Sequence, residues 1–133
     1  MNTTTVISKA LTYFFTGLVA FLAPIHWAFW VVVAFVMVDT ITGIMAAGKE
    51  SVRNIKSRRL FDLVPKLIFY FLLVVTAHAC SYIDPQIPFV KLAMFGIGFI
   101  EIKSIDENFE KLYGFSFVSR ILQALKSLSK VKR

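Results

Sequence analysis

One cysteine and two histidines are all that the 133-residue chain offers to thiol or imidazole chemistry. Cys80 lies inside an apolar run, so an internal disulfide and any cysteine-based metal or redox motif are excluded, and a buried thiol is its expected state. His26 and His78 are far apart in sequence, and neither has a second His or Cys at ligand spacing, which argues against a metal site. A glycine-rich phosphate loop is missing. So are a serine in a nucleophile-elbow context and a pair of acids with a credible pocket. Neither an enzyme nor a cofactor is expected of such a chain.

Acidic residues are also few: eight Asp and Glu stand against fifteen Lys and Arg, a net charge of +7. The excess is confined to segments that flank apolar runs, so the inside-positive bias of membrane proteins accounts for it without nucleic acid. Apolar side chains, in contrast, make up 57% of the residues, beyond the balance of soluble domains. Most of the apolar segments lack the polar face that a soluble helical bundle requires. An all-α integral membrane protein is the class expected.

Four transmembrane helices are expected, over residues 10–23, 27–47, 64–83 and 88–105. The first run is uncharged but short, and it nears spanning length only with Thr5 to Ser8 added. Pro24 is expected to end it. The third opens with Pro65, a residue tolerated at a helix start. The fourth is apolar only in its middle, since it holds Lys91, Glu101 and Lys103. The N-terminus resembles a signal peptide, yet the plausible cleavage point after Ala23 is followed by Pro24 and preceded by Phe21 at the −3 place. Residues 1–23 are therefore expected to be retained.

Lys49, Arg53, Lys56, Arg58 and Arg59 crowd the 48–62 loop, and Lys111, Arg120, Lys126, Lys130, Lys132 and Arg133 the tail, whereas PIH (24–26) and SYIDPQIP (81–88) carry no Lys or Arg. Basic segments remain cytoplasmic. Both termini and the central loop are thus expected on that side, with Trp27, Trp30 and Tyr82 as interface anchors at the other. A transmembrane unit over residues 1–112 would then be followed by a cytoplasmic one over 113–133. In the latter, Phe117, Val118, Ile121, Leu122, Leu125 and Leu128 recur at helical spacing opposite Arg120, Gln123, Lys126 and Lys130. Such a basic amphipathic helix lies on anionic lipid, through Arg120, Lys126, Lys130, Lys132 and Arg133, or packs on another subunit.

Asp39 interrupts the second apolar run about eight residues, or roughly 12 Å, from its cytoplasmic end. A lone carboxylate at that depth would cost about 2.5–3.5 kcal/mol, so it must face protein or a water-filled cavity. Thr42, Gly43 and Ala46 share its stripe, and Gly43 with Ala47 forms a small-xxx-small pair that admits a second backbone. Lys66, at the start of the third run and on one stripe with Tyr70, is the expected partner, with Lys103 as second choice. In the fourth run Lys91, Gly98, Glu101, Ser104 and Asn108 also fall on one side. These stripes either glue one compact bundle or face other copies and an aqueous lumen; both readings stay open.

VDTITG (38–43), the basic loop after it, Lys66, and EIKSIDEN (101–108) together resemble the phage holin family, also called toxin-secretion or phage-lysis holins. The positions that match its pattern are Asp39, Thr42, Gly43, Lys66, Glu101, Ser104, Glu107 and Asn108. The chain departs from the pattern at SRRLFDLVPK (57–66), which has no glycine before the lysine, and at YGFSFVSRI (113–121), where prolines are usual. The resemblance implies a small protein of the bacterial inner membrane that forms homo-oligomers and opens lesions through which endolysin or another cargo leaves. A non-lytic assembly or regulatory subunit, such as an antiholin or a component of a secretion apparatus, is the alternative. An ion-coupled transporter using Asp39 and Glu101 fits less well, because neither an inverted repeat nor a broken span is evident.

Overall fold

The structure, a computed structural model, describes residues 3–48 and 55–131, with side chains for residues 3–48 and 61–128. It contains α1 (Thr3–Leu22), a 3-10 turn (Ala23–Ile25), α2 (His26–Gly48), α3 (Ile55–Cys80), α4 (Phe89–Tyr113) and α5 (Phe117–Val131). No strand occurs among the described residues. Lys49, Arg53, Lys132 and Arg133 lie outside the described residues, as do the side chains of Lys56, Arg58, Arg59 and Lys130.

Helices α2, α3 and α4 pack against one another as a three-helix bundle. Each turns one narrow face inward at intervals of three or four residues, the spacing of a helix seam. On α2 that face is Ala28, Val32, Val36, Gly43 and Ala46, and on α4 it is Ile97, Gly98, Glu101 and Asn108. Tyr70, Val74 and Ala77 supply the face of α3. The apolar part of the seam, with Ile25, Ala28, Val32, Val36, Tyr70, Val74 and Ile97, fills the end of the bundle near the 3-10 turn. Phe29 and Phe71 meet edge to face there, 5.0 Å apart. The outward faces are just as apolar, with Trp30, Phe69, Leu72, Phe95 and Phe99 all exposed. Contiguous apolar surface on this scale is untenable in water and natural in lipid. Two helical stretches, Thr3–Gly48 and Phe61–Cys80, are long and apolar enough to cross a bilayer. With Lys91, Glu101, Lys103, Asp106 and Glu107 along it, α4 is more polar.

At three boundaries the chain runs differently from expectation. Helix α1 ends at Leu22, just before Pro24 as expected, but the chain does not turn back there: Leu22 and His26, on either side of the 3-10 turn, both keep helical dihedrals, and Thr3–Gly48 is one helical stretch of 46 residues. The proline stands in the first turn of the short helix, where a missing N–H removes nothing that would have been bonded. Nor does Pro65 open the third helix, as the expected start at residue 64 had it. Helix α3 begins a good two turns earlier, at Ile55, and carries Pro65 inside, because the ring deletes a single bond to the carbonyl four residues back while the turns on both sides persist. Finally, α4 continues past residue 105 to Tyr113, through a segment without a breaker. It stops where Gly114 takes a left-handed conformation (φ 77°) and its N–H donates to the Glu110 carbonyl.

Helix α1 buries none of its own residues. Its final turn is tied to the end of α3. The His78 ring bonds through Nε2 to the Phe21 carbonyl oxygen at 3.0 Å and lies 4.8 Å from the Phe21 ring, and Tyr82 completes the cluster, stacked on Phe21 at 6.0 Å and edge-on to His78 at 5.3 Å.

Candidate functional site

In the half of the bundle away from the 3-10 turn, the seam is polar. Asp39 occupies α2 one turn beyond Val36, and its carboxylate points to where α3 and α4 converge. Lys66, one turn before Tyr70 on α3, reaches into the same place. Its Nζ donates to Asp39 Oδ2 and to Glu101 Oε2, each at 2.7 Å, so a single ammonium bridges carboxylates from two other helices. Glu101 is wholly buried, and its second oxygen accepts a hydrogen bond from the Tyr70 hydroxyl. Two turns farther along α4, Asn108 Nδ2 donates to Asp39 Oδ1 at 3.1 Å and to Thr42 Oγ1 at 3.3 Å, while Thr42 donates to the Asp39 carbonyl at 3.0 Å. Six side chains on three helices thus form one connected network. Two anions and one cation leave it formally at −1. Among the described residues no fully buried side-chain nitrogen or oxygen lacks a partner, the condition under which a polar cluster is tolerated in a low-dielectric interior.

The remaining expected residues are placed less uniformly. Gly43 and Ala46 are buried in the α2 seam beside the network. Gly98 is buried too, and a Cβ there would meet the Phe35 ring at 3.6 Å, an ordinary contact, so α2 and α4 are close at this point without requiring a glycine. Ser104 is half-buried. Glu107 is on the outside of α4, 59% exposed, and lies 3.9 Å from Lys103, which is itself 71% exposed and pairs there and not with Asp39. Among the described residues no three His, Cys, Asp or Glu side chains gather as metal ligands would.

The Asp39–Lys66–Glu101 core joins the residues of VDTITG to those of EIKSIDEN, and the same segments lie inside a wider likeness. The profile of the bacteriophage holin family matches residues 6–130, nearly the whole chain. The chain belongs to the bacteriophage holin family. No curated protein and no solved structure matches it. Holin family proteins are non-enzymatic membrane proteins that lyse cells, and this member is accordingly a membrane protein of phage lysis and not an enzyme.

Two side chains with structural partners are not among the expected site positions. Tyr70 shares a stripe with Lys66, but its bond to Glu101 depends on how α3 and α4 meet. Asp106 lies inside EIKSIDEN, yet its partners are at the start of α5. Its Oδ2 accepts from Ser116 Oγ at 2.7 Å, and its Oδ1 from the N–H groups of Phe117 and Val118 at 2.6 and 3.1 Å. The Ser116 hydroxyl above all, and the two N–H groups with it, hold the Asp106 carboxyl below the usual carboxylate range. Ser116, just ahead of the apolar run of α5, is legible as an N-cap.

Proposed function

We propose that this holin permeabilises the bacterial inner membrane by associating with copies of itself, and that the polar network is its closed state. The observation that supports this is a set of charged side chains satisfied inside one subunit whose outer surface is largely apolar on α2 and α3. Lipid tails offer helices no hydrophobic incentive to associate, so association depends on packing and on polar contacts. Asp39, Lys66, Glu101 and Asn108 hold α2, α3 and α4 together in the single subunit. When subunits crowd, the same groups exchange partners between copies and line the opening, with Thr42, Gly43, Ala46 and Gly98 allowing close approach. Endolysin or another cargo then passes without a binding site. The Lys and Arg distribution supports a multi-pass arrangement with residues 48–62 and the C-terminus in the cytoplasm. Four spans with a cytoplasmic N-terminus additionally require α1 to fold back at Ala23–Ile25. Helix α5 lies on the inner leaflet, its Arg120 and Lys126 toward anionic headgroups.

One observation favours a second reading. Because the network is complete within one chain, the subunit needs no partner to satisfy it, as suits a non-lytic regulatory or antiholin-type subunit. Expression in cells that hold a cytoplasmic reporter separates the two. Release of the reporter, lost in Lys66→Met together with crosslinked oligomer, supports the pore-former. Insertion without release supports the regulatory subunit.

A further inference from the structure

We propose that Asp106 is a positioning residue that sets the level at which the amphipathic helix α5 meets the lipid surface. The inference rests on the reading that α5 lies on the membrane. Three donors of the first turn of α5 end on this one carboxylate, namely the Ser116 hydroxyl and the N–H groups of Phe117 and Val118. Ser116 Oγ in turn accepts from the Ser119 N–H at 3.0 Å. Helix N-termini present unbonded N–H groups and a positive dipole end, and an anion there satisfies both. This anion comes from another helix.

The consequence is geometric. From Asp106, α4 runs on to Tyr113, about 10 Å farther at ~1.5 Å per residue. Gly114 then reverses the chain with its positive φ of 77°, and Phe117 returns to the level of Asp106. Asp106 directly follows residues 88–105, the expected fourth span. Helix α5 therefore starts at the edge of the bilayer and not ~10 Å out in the cytoplasm, and only at the edge does an interfacial helix bury its apolar face. Apolar packing between the two helices is incomplete, since an open groove of about 320 Å³ lies between them, lined by Ile102, Ile105, Asp106, Phe109, Phe117 and Val118. Arg120 adds one contact, 3.8 Å over the Phe115 ring. Among the described residues, Ile121, Leu122, Leu125 and Leu128 stay exposed. The basic residues beside them make an anionic lipid surface the matching partner.

The test uses the full chain in vesicles of phosphatidylcholine and phosphatidylglycerol, with an environment-sensitive label on Leu125→Cys in a Cys80→Ser background. The label is expected to be shielded from a soluble quencher. Asp106→Ala should raise its quenching several-fold while the circular dichroism of the bundle is unchanged, and Asp106→Asn, which keeps one acceptor oxygen, should fall between. If Asp106→Ala does not insert, Ser116→Ala decides: it leaves α4 untouched and should raise quenching in the same direction, by less. Quenching unchanged in the inserted variants overturns the role of Asp106 and leaves the surface reading standing. A label fully quenched in the unsubstituted background overturns the surface reading itself.

Discussion

Lys66 is the one cation between two carboxylates, so its loss differs in kind from the loss of either anion. Lys66→Met strands Asp39 and the wholly buried Glu101, and leaving buried charge uncompensated costs about 3–5 kcal/mol. A large drop in the thermal unfolding temperature in detergent is expected. Tyr70→Phe removes a donor to Glu101 and should cost less, about 1–3 kcal/mol, measured the same way. Exchange of charges is a sharper test. Asp39→Lys combined with Lys66→Asp restores an opposite pair at those two positions, but it sets the new carboxylate beside Glu101. The double variant should therefore stay unstable, and adding Glu101→Gln should recover much of the loss. Recovery in the double variant alone would show that Glu101 is not part of the same electrostatic unit.

At the scale of elements, α2 and α4 behave as seams and α1 and α5 as attachments. Helix α5 is tied through Asp106, whose pKa is depressed by its bonds to Ser116, Phe117 and Val118. A depressed carboxylate stabilises the folded arrangement at pH above its ordinary value, and that contribution disappears only as the pH falls through the lower, folded value. The shielding of a label on α5 is accordingly expected to be constant between about pH 5 and pH 8, and to be lost in acid below the usual carboxylate range. Loss already near neutral pH would mean that another group governs the attachment. The Asp106 tie is not legible from periodicity, since the acid and the helix it caps are separated by a helix end and a reversing glycine. The amphipathic pattern of α5 itself is legible, because the alternation of apolar and basic residues is local.

At the scale of the molecule, orientation follows from where charge is too costly to translocate. In a Cys80→Ser background, a cysteine at Ser51 should resist an impermeant thiol reagent added to intact cells and react after permeabilisation. Rapid labelling from outside would invert the proposed orientation. A cysteine at Ser8 tests the first helix separately: protection means that α1 folds back through the bilayer at the 3-10 turn, and labelling means that it does not. The helical continuity of Thr3–Gly48 makes this the informative position.

Composition and the apolar runs by themselves determined an all-helical membrane protein, because an apolar stretch near bilayer length has to satisfy its backbone within itself. The ordered motifs likewise carried the family, since residue identity at short spacing survives without knowledge of the fold. Helical spacing also showed that Asp39 shares a stripe with Thr42 and Gly43, and Glu101 with Asn108. Only the tertiary structure decided that these two stripes face each other within one chain and that Lys66, the expected partner of Asp39 27 residues away, also holds Glu101 across 35 residues of sequence. Periodicity specifies which side of a helix is polar, but the rotation and offset of one helix against another are set by packing among all three. The course of the chain at Pro24 and Pro65 was decided in the same way, because a proline removes one hydrogen bond and the turns around it determine whether the helix continues.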